Sequence, residues 1–221
     1  MAVPAKATDS AKPRRYDSPI RAQRARETRA ALMAAGAELF ITKGWAATGM
    51  RDVAAAAGVA IETVYSHFGS KGALLRAVTD VAVVGDERPL AVAERDEFAA
   101  LASGRRSERV AAAAALVRAI HERTAPYAMV LREAAPADEQ IAAVLHATRA
   151  RQRQDVEAGA ALVIGRHPMA VETDELWALL SPELYLLLVH EAGWTPEAYE
   201  RWVAATLDRV LPDLDTKKDQ R

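Results

Sequence analysis

The side chains best suited to chemistry in this chain are few: five histidines, scattered carboxylates and no cysteine. Without cysteine there are no disulfides, thiolate metal sites or thiol nucleophiles. His67, His121, His146, His167 and His190 lie far apart, and although Glu122 follows His121, no second histidine completes a zinc-protease spacing. Neither a glycine-rich phosphate loop nor a nucleophile elbow occurs. The acids fall along helix-like stretches at the spacing of a solvated face rather than in catalytic pairs. An enzyme is not expected, nor a metal or cofactor, and the chemistry that remains is recognition.

Recognition chemistry concentrates in TGMRDVAAAAGVAIETVYSHFGSK, from Thr48 to Lys71. Thr48 is expected to cap a helix through its hydroxyl, with Met50, Val53, Ala54 and Ala57 on one face. Gly58 should stop that helix, because glycine supplies the left-handed backbone of a sharp exit, and Val59 can pack back into the angle. A second helix then runs from about Ile61 to Phe68. Ile61, Val64 and Phe68 fall inward at helical spacing, leaving Glu62, Thr63, Tyr65, Ser66 and His67 outward or at the margin. Two helices joined by such a turn make a helix-turn-helix, whose second helix enters the major groove of DNA. Helical hairpins with a glycine turn are also common in all-helical proteins, so the flanking elements matter.

Alanine-rich composition and the lack of β-branched alternation make the class all-α. Residues 1–76 hold 12 Lys and Arg against 6 Asp and Glu, and the rest 17 against 24, so a polyanion-binding surface should be confined to the N-terminal third. Residues 1–19, with three prolines among polar residues, read as a flexible basic arm: either a disordered tail or a segment touching DNA through Arg14, Arg15 or Arg21. From Ile20 or Arg21 to Lys43 the pattern gives a first helix with a stripe of Thr28, Leu32, Ala35, Gly36, Leu39 and Phe40, ended by Gly44. Four arginines crowd its start against the helix dipole, which suits a nearby external anion or a solvated basic face. Trp45 should plug the core from the connecting loop.

This run of residues, helix followed by ATGMRDVAAAAGVAIETVYSHFGSKGALLRAV, resembles the DNA-binding domain of TetR-family transcriptional regulators over about residues 24–80, most specifically in TVYSHFGSKGALL. The resemblance implies that Thr48 caps the second helix and bonds phosphate, that residues 60–67 form the recognition helix, that Tyr65 and His67 reach the DNA, and that Lys71 clamps a phosphate at the start of a fourth helix. Hydroxyls and an ammonium are phosphate-contacting groups, while Glu62, Thr63 and Ser66 suit base edges. Glu62 either accepts from a cytosine amino group or sits off the DNA as a dipole-favoured first-turn acid. Two positions depart from the family pattern: Ala60 replaces a capping serine, and Gly72 replaces an acid.

The fourth helix should run from Lys71 to Val84, broken by Gly85, Asp86 and Pro89. Helices are then expected near Glu94–Ala102 and over Ser107–Thr124, Pro126–Ala134, Ala137–Ile164, Thr173–Glu191 and Thr195–Leu211. LWALLSPELYLLLVH is apolar on nearly every face, so one side can meet its own body and another a second copy, with Pro182 bending the helix. Tyr199, Trp202, Val203, Leu207 and Val210 give the last helix a matching stripe. Leu180, Leu184, Leu187, Leu188, Trp202 and Leu207 are thus the candidate interface of a homodimer, the family's manner of pairing, with an intramolecular core as the alternative.

The resemblance also implies a small-molecule effector enclosed by the middle helices, for which His121, Tyr127, Met129, Arg132, His146, Arg149 and Trp177 are the polar and aromatic candidates. The expected organisation is a helix-turn-helix head over 20–70, a helical effector-binding and dimerisation domain over 71–212 and a polar tail over 213–221. No stretch of about 18 apolar residues and no apolar signal core is present, so a soluble, cytoplasmic protein without membrane contact is expected. The expected function is a repressor's: it binds a palindromic double-stranded operator and leaves it when the effector binds. A helical protein-interaction module that binds no DNA is the reading from another class.

Overall fold

The computed structural model describes residues 19–85 and 96–212, and among these it is helical throughout. The expected basic arm, the tail and the breakers Asp86 and Pro89 lie outside the described residues. Helix α1 spans Pro19–Ala47, with Gly44 leaving helical geometry (φ 74°, ψ 179°) where the sequence predicts the stop. Helices α2 (Met50–Ala56) and α3 (Ile61–Phe68) form the hairpin. Gly58 turns it at φ 67°, a value costly for any residue with a Cβ, and the Val59 amide bonds the Ala54 carbonyl at 3.0 Å. Helix α4 covers Lys71–Val84, capped by the Ser70 hydroxyl, which accepts from the Ala73 amide at 3.1 Å.

A short helix α5 (Asp96–Ala99) leads through a 3₁₀ turn to α6 (Arg106–Ala134). The sequence predicts two helices separated at Pro126; instead α6 runs unbroken through it. Thr124, Ala125 and Tyr127 around the proline are all buried, and this packing outweighs the single lost backbone bond. Helix α7 (Glu139–Ile164) starts at Asp138, whose carboxylate accepts from the Gln140 and Ile141 amides.

The predicted helix Thr173–Glu191 is likewise corrected. Helix α8 (Ala170–Leu179) stops, and Pro182, rather than bending one helix, opens a new one, α9 (Pro182–Tyr185), with Ser181 as its cap. Proline suits a first turn because its missing N–H has no partner to lose there. The chain continues in wider π geometry over Leu186–Glu191, marked by the Ala192 amide on the Leu187 carbonyl at 2.8 Å. Helix α10 (Pro196–Val210) completes the body, capped by Thr195.

Two buried clusters organise the packing. One is centred on Leu32, Phe40, Val53, Val64, Leu74 and Leu75 and extends to Tyr127, Val130, Leu131 and Ala134 of α6 and Ile141 of α7, so the head is seated on the end of α6. Gly36 lets α1 approach α4: a Cβ there would lie 3.0 Å from Leu74. At Gly72, the departure from the family's acid, a Cβ would meet Ile141 at 3.4 Å, an ordinary contact. The second cluster joins α5 to α10 through Phe98, Leu101, Ala114, Val163, Leu176, Tyr185, Tyr199, Val203 and Leu207.

Candidate nucleic-acid interface and internal cavity

Helix α3 is held by one fully buried side chain, Val64, with Ile61 and Phe68 half-buried beside it. That anchoring turns Glu62, Tyr65 and Ser66 to the surface, Tyr65 being 50% exposed, with Thr63 and His67 at the margin. The Ser66 hydroxyl donates to the Thr63 carbonyl at 2.8 Å, so its oxygen remains able to accept from a base or amide. Ala60 caps α3 without any side-chain bond, as its missing hydroxyl requires. Arg29 of α1 lies 4.7 Å from the centre of the Phe68 ring and ties the first helix to the end of α3.

Two residues expected at the DNA are turned inward. Thr48 is 1% exposed and does not cap α2; its hydroxyl lies 3.0 Å from the Leu39 carbonyl and 2.8 Å from that of Gly44. The start of α2 is instead secured by Asp52, whose carboxylate accepts from the Gly49 amide at 2.8 Å. Lys71 does not extend from the head. Its ammonium donates to the Trp45 carbonyl at 2.7 Å and the Thr48 carbonyl at 2.9 Å, and lies 4.0 Å from the centre of the Trp45 ring, which itself stacks on Phe40. Burial holds its pKa below the usual lysine value, with Asp138 opposing. The residue is a strut between α4 and the loop carrying α2, since otherwise orphaned carbonyls there offer it better partners than solvent.

Between α4, α6, α7, α8 and α9 lies a cavity of about 170 Å³. Of the sequence candidates for effector contact, His121 and Arg149 line it. His121 Nδ1 lies 2.8 Å from the Tyr199 hydroxyl, and burial lowers its pKa to about 3, so the imidazole is neutral and already bonded. Burial, reinforced by Tyr185, raises the Tyr199 pKa. Arg149 bonds Glu183 at 3.1 Å.

The other candidates are placed elsewhere. Tyr127 is buried in the cluster beneath the head, Met129 is 44% exposed, His146 is on the surface, Trp177 is half-buried off the lining, and Arg132 reaches Glu183 from outside it. Each occupies a helix face turned from the cavity, which residue type alone cannot reveal. The polar lining residues that sequence reasoning missed are on α7, chiefly Thr148, Gln152 and Asp155, with Asp80 of α4 and Glu183 of α9. Their signal was available: spacings of four and three place Thr148, Gln152 and Asp155 on one face, continued by small Gly159 and Ala160.

Of the interface candidates, Leu187 is 48% exposed and Leu184, Leu188 and Trp202 are half-buried. Leu180 and Leu207 are each 4% exposed inside their own body, which removes them from the interface. The α10 stripe of Tyr199, Val203, Leu207 and Val210 is likewise spent on this core, because α6 offers an apolar face along its length.

Head and body together define a helix-turn-helix protein with a large helical C-terminal part. Residues 32–78 match the family of bacterial regulatory proteins known as the tetR family. No curated protein matches the chain. Among solved structures, a transcriptional regulator from Rhodococcus sp. Rha1 is 19% identical, covering 83% of this chain and 95% of its own, with a TM-score of 0.59. A Rhodococcus protein provisionally assigned to the TetR family is 18% identical over 84% of this chain and 99% of its own, with a TM-score of 0.62. The multidrug binding protein EbrR, solved with imidazole, is 18% identical over 83% and 94%, at 0.53. The chain thus carries a tetR-family regulatory domain at residues 32–78, and over the rest of its length the likeness to these regulators is one of fold.

Proposed function

We propose that this regulator is a homodimeric repressor that binds a palindromic operator through two heads and is released by a small molecule held in the body's cavity. The observation that carries this reading is α3: anchored by Val64, it presents Glu62, Tyr65 and Ser66 outward. In this reading residues 20–70 read DNA and 71–212 hold effector and partner. Ile61 seats the helix, Tyr65 and His67 position the phosphate backbone, and Glu62, Thr63 and Ser66 choose bases. Thr48 and Lys71 support these contacts from behind. A twofold dimer dictates a palindrome, with half-sites about one helical turn or a multiple apart.

The dimer surface proposed is what α9, the π segment and α10 leave uncovered: Leu184, Leu187, Leu188 and Trp202. Coupling runs through α4, because Leu74, Leu75 and Val78 belong to the head's core while Thr79, Asp80 and Val83 line the cavity. Arg123 of α6 holds the far end of α4, donating to the Ala82 and Val83 carbonyls at 2.9 and 3.2 Å. An effector shifts the heads only by binding the DNA-incompetent arrangement more tightly. No described helix is long and apolar enough to cross a membrane, in keeping with action in the cytoplasm. Selection of bound sequences from a random DNA pool tests the reading: enrichment of a palindrome supports it, and a pool without enriched sequence overturns it.

A further inference from the structure

The charges lining the cavity are unequally matched. Arg149 is bonded to Glu183, and Arg151 to Asp80 at 3.2 Å, with Arg76 3.6 Å from the same aspartate. His121 is neutral and engaged with Tyr199. Asp155 alone among the charged lining residues has no hydrogen bond or ion pair to another described residue. It lies half-buried on α7, one turn beyond Arg151, whose guanidinium is committed to Asp80. Asp80 is held by Arg151 and Arg76, and Glu183 by Arg149 and Arg132, so Asp155 is the one lining carboxylate without an arginine bonded to it among the described residues. Burial pushes the Asp155 carboxyl above the usual carboxylate range, with Arg151 opposing.

Beyond Asp155 the lining loses its polarity. Val156, Gly159, Ala160 and Val163 continue down α7 toward Phe98, Leu101, Leu176 and Leu207. The rise of α7 places Val163 about 12 Å along the axis from Asp155. The volume limits what fits: a cavity of about 150 Å³ holds benzene, and this one, at about 170 Å³, is only slightly larger.

Resting on the effector reading above, we infer that the cavity takes a small amphiphilic amine, with its cationic nitrogen on the Asp155 carboxylate and a single-ring or short aliphatic body in the apolar end. Gln152 and Thr148, one and two turns before Asp155, offer oxygen acceptors for the remaining ammonium protons. An anionic ligand of the same shape meets Asp155 with no unpaired arginine to offset it.

The test compares three ligands of one shape by titration calorimetry on the full-length protein: 3-phenylpropylamine, 3-phenylpropanol and 3-phenylpropanoate. The amine is expected to bind about tenfold or more tightly than the alcohol, with the acid weakest. Asp155→Asn should bring the amine down to the level of the alcohol and leave the alcohol unchanged, and Asp155→Glu should keep the amine's preference. Should Asp155→Asn fail to fold, the ligand series on the wild-type protein and Asp155→Glu decide. An alcohol or acid that binds as tightly as the amine overturns the cation assignment and leaves the cavity as an effector site. Failure of all three to bind overturns both. If the amine binds through Asp155 but does not release selected DNA, the site assignment stands and the effector reading fails.

Discussion

Lys71→Met distinguishes a strut from a phosphate clamp. In the wild-type protein the ammonium makes two charge-assisted bonds to backbone carbonyls and a cation–π contact with Trp45. Hydrogen bonds to a charged group contribute about 1.5–3 kcal/mol each and an exposed cation–π contact about 0.5–1. Lys71 is half-exposed, and burial costs it hydration, so much of that sum is offset. Methionine keeps the aliphatic stem over the indole and leaves the two carbonyls to water. The expected loss is about 2 kcal/mol, or roughly 4–8 °C in melting temperature for a chain of this size. Operator affinity should fall, because the loop carrying α2 loosens, but the slope of log affinity against log salt should not change. A lost phosphate contact has the opposite signature: unchanged melting, and a slope shallower by about 0.9 per contact, hence about two per dimer. Unchanged melting together with the shallower slope would refute the strut.

Other consequences are open to direct measurement. Glu62→Ala should alter preference at one base pair of each half-site with a modest change in overall affinity, read by repeating the DNA selection; a general loss across sequences would remove it from base reading. Leu187→Asp should give monomers with weakened operator binding by light scattering and titration, while a fully dimeric variant would exclude the π segment from the contact. His121 has a folded-state pKa of about 3 against an ordinary value of about 6.5, so the unfolded chain binds the extra proton and stability falls as pH drops below about 6.5. By about pH 5 the cost is about 2 kcal/mol, and His121→Phe should lack that component in urea titrations; equal pH dependence in both proteins would contradict the buried neutral imidazole.

The head was legible in the sequence because its signals are local. The glycine stops at Gly44 and Gly58 and the limits of α3 and α4 follow from turn chemistry and short-range periodicity. The strut role of Lys71 is not legible locally, because its partners are 26 and 23 residues away, in a loop whose carbonyls no local pattern advertises. Thr48 looked like a cap for the same reason, yet an acid three residues after Gly49 took that role. In the body, Leu180 cannot be separated from Leu187 by sequence, because a stretch apolar on every face has no periodicity left to assign a direction; the stripe of α10 that holds Leu207 is periodic, but does not tell whether its own core or a second copy covers it. The cavity required tertiary information: Asp155 is one of many acids in the sequence, and only the pairing of Arg149 and Arg151 elsewhere makes it distinctive.

The central claim, that α3 is a DNA-reading helix, is tested most directly by the salt dependence of binding to a palindrome recovered by selection, measured beside a scrambled duplex of equal length. The protein should prefer the palindrome, its affinity falling about a hundredfold or more between ~50 and ~200 mM salt as phosphate contacts are exchanged for counter-ions. Equal, weak and salt-insensitive binding to both duplexes would contradict it.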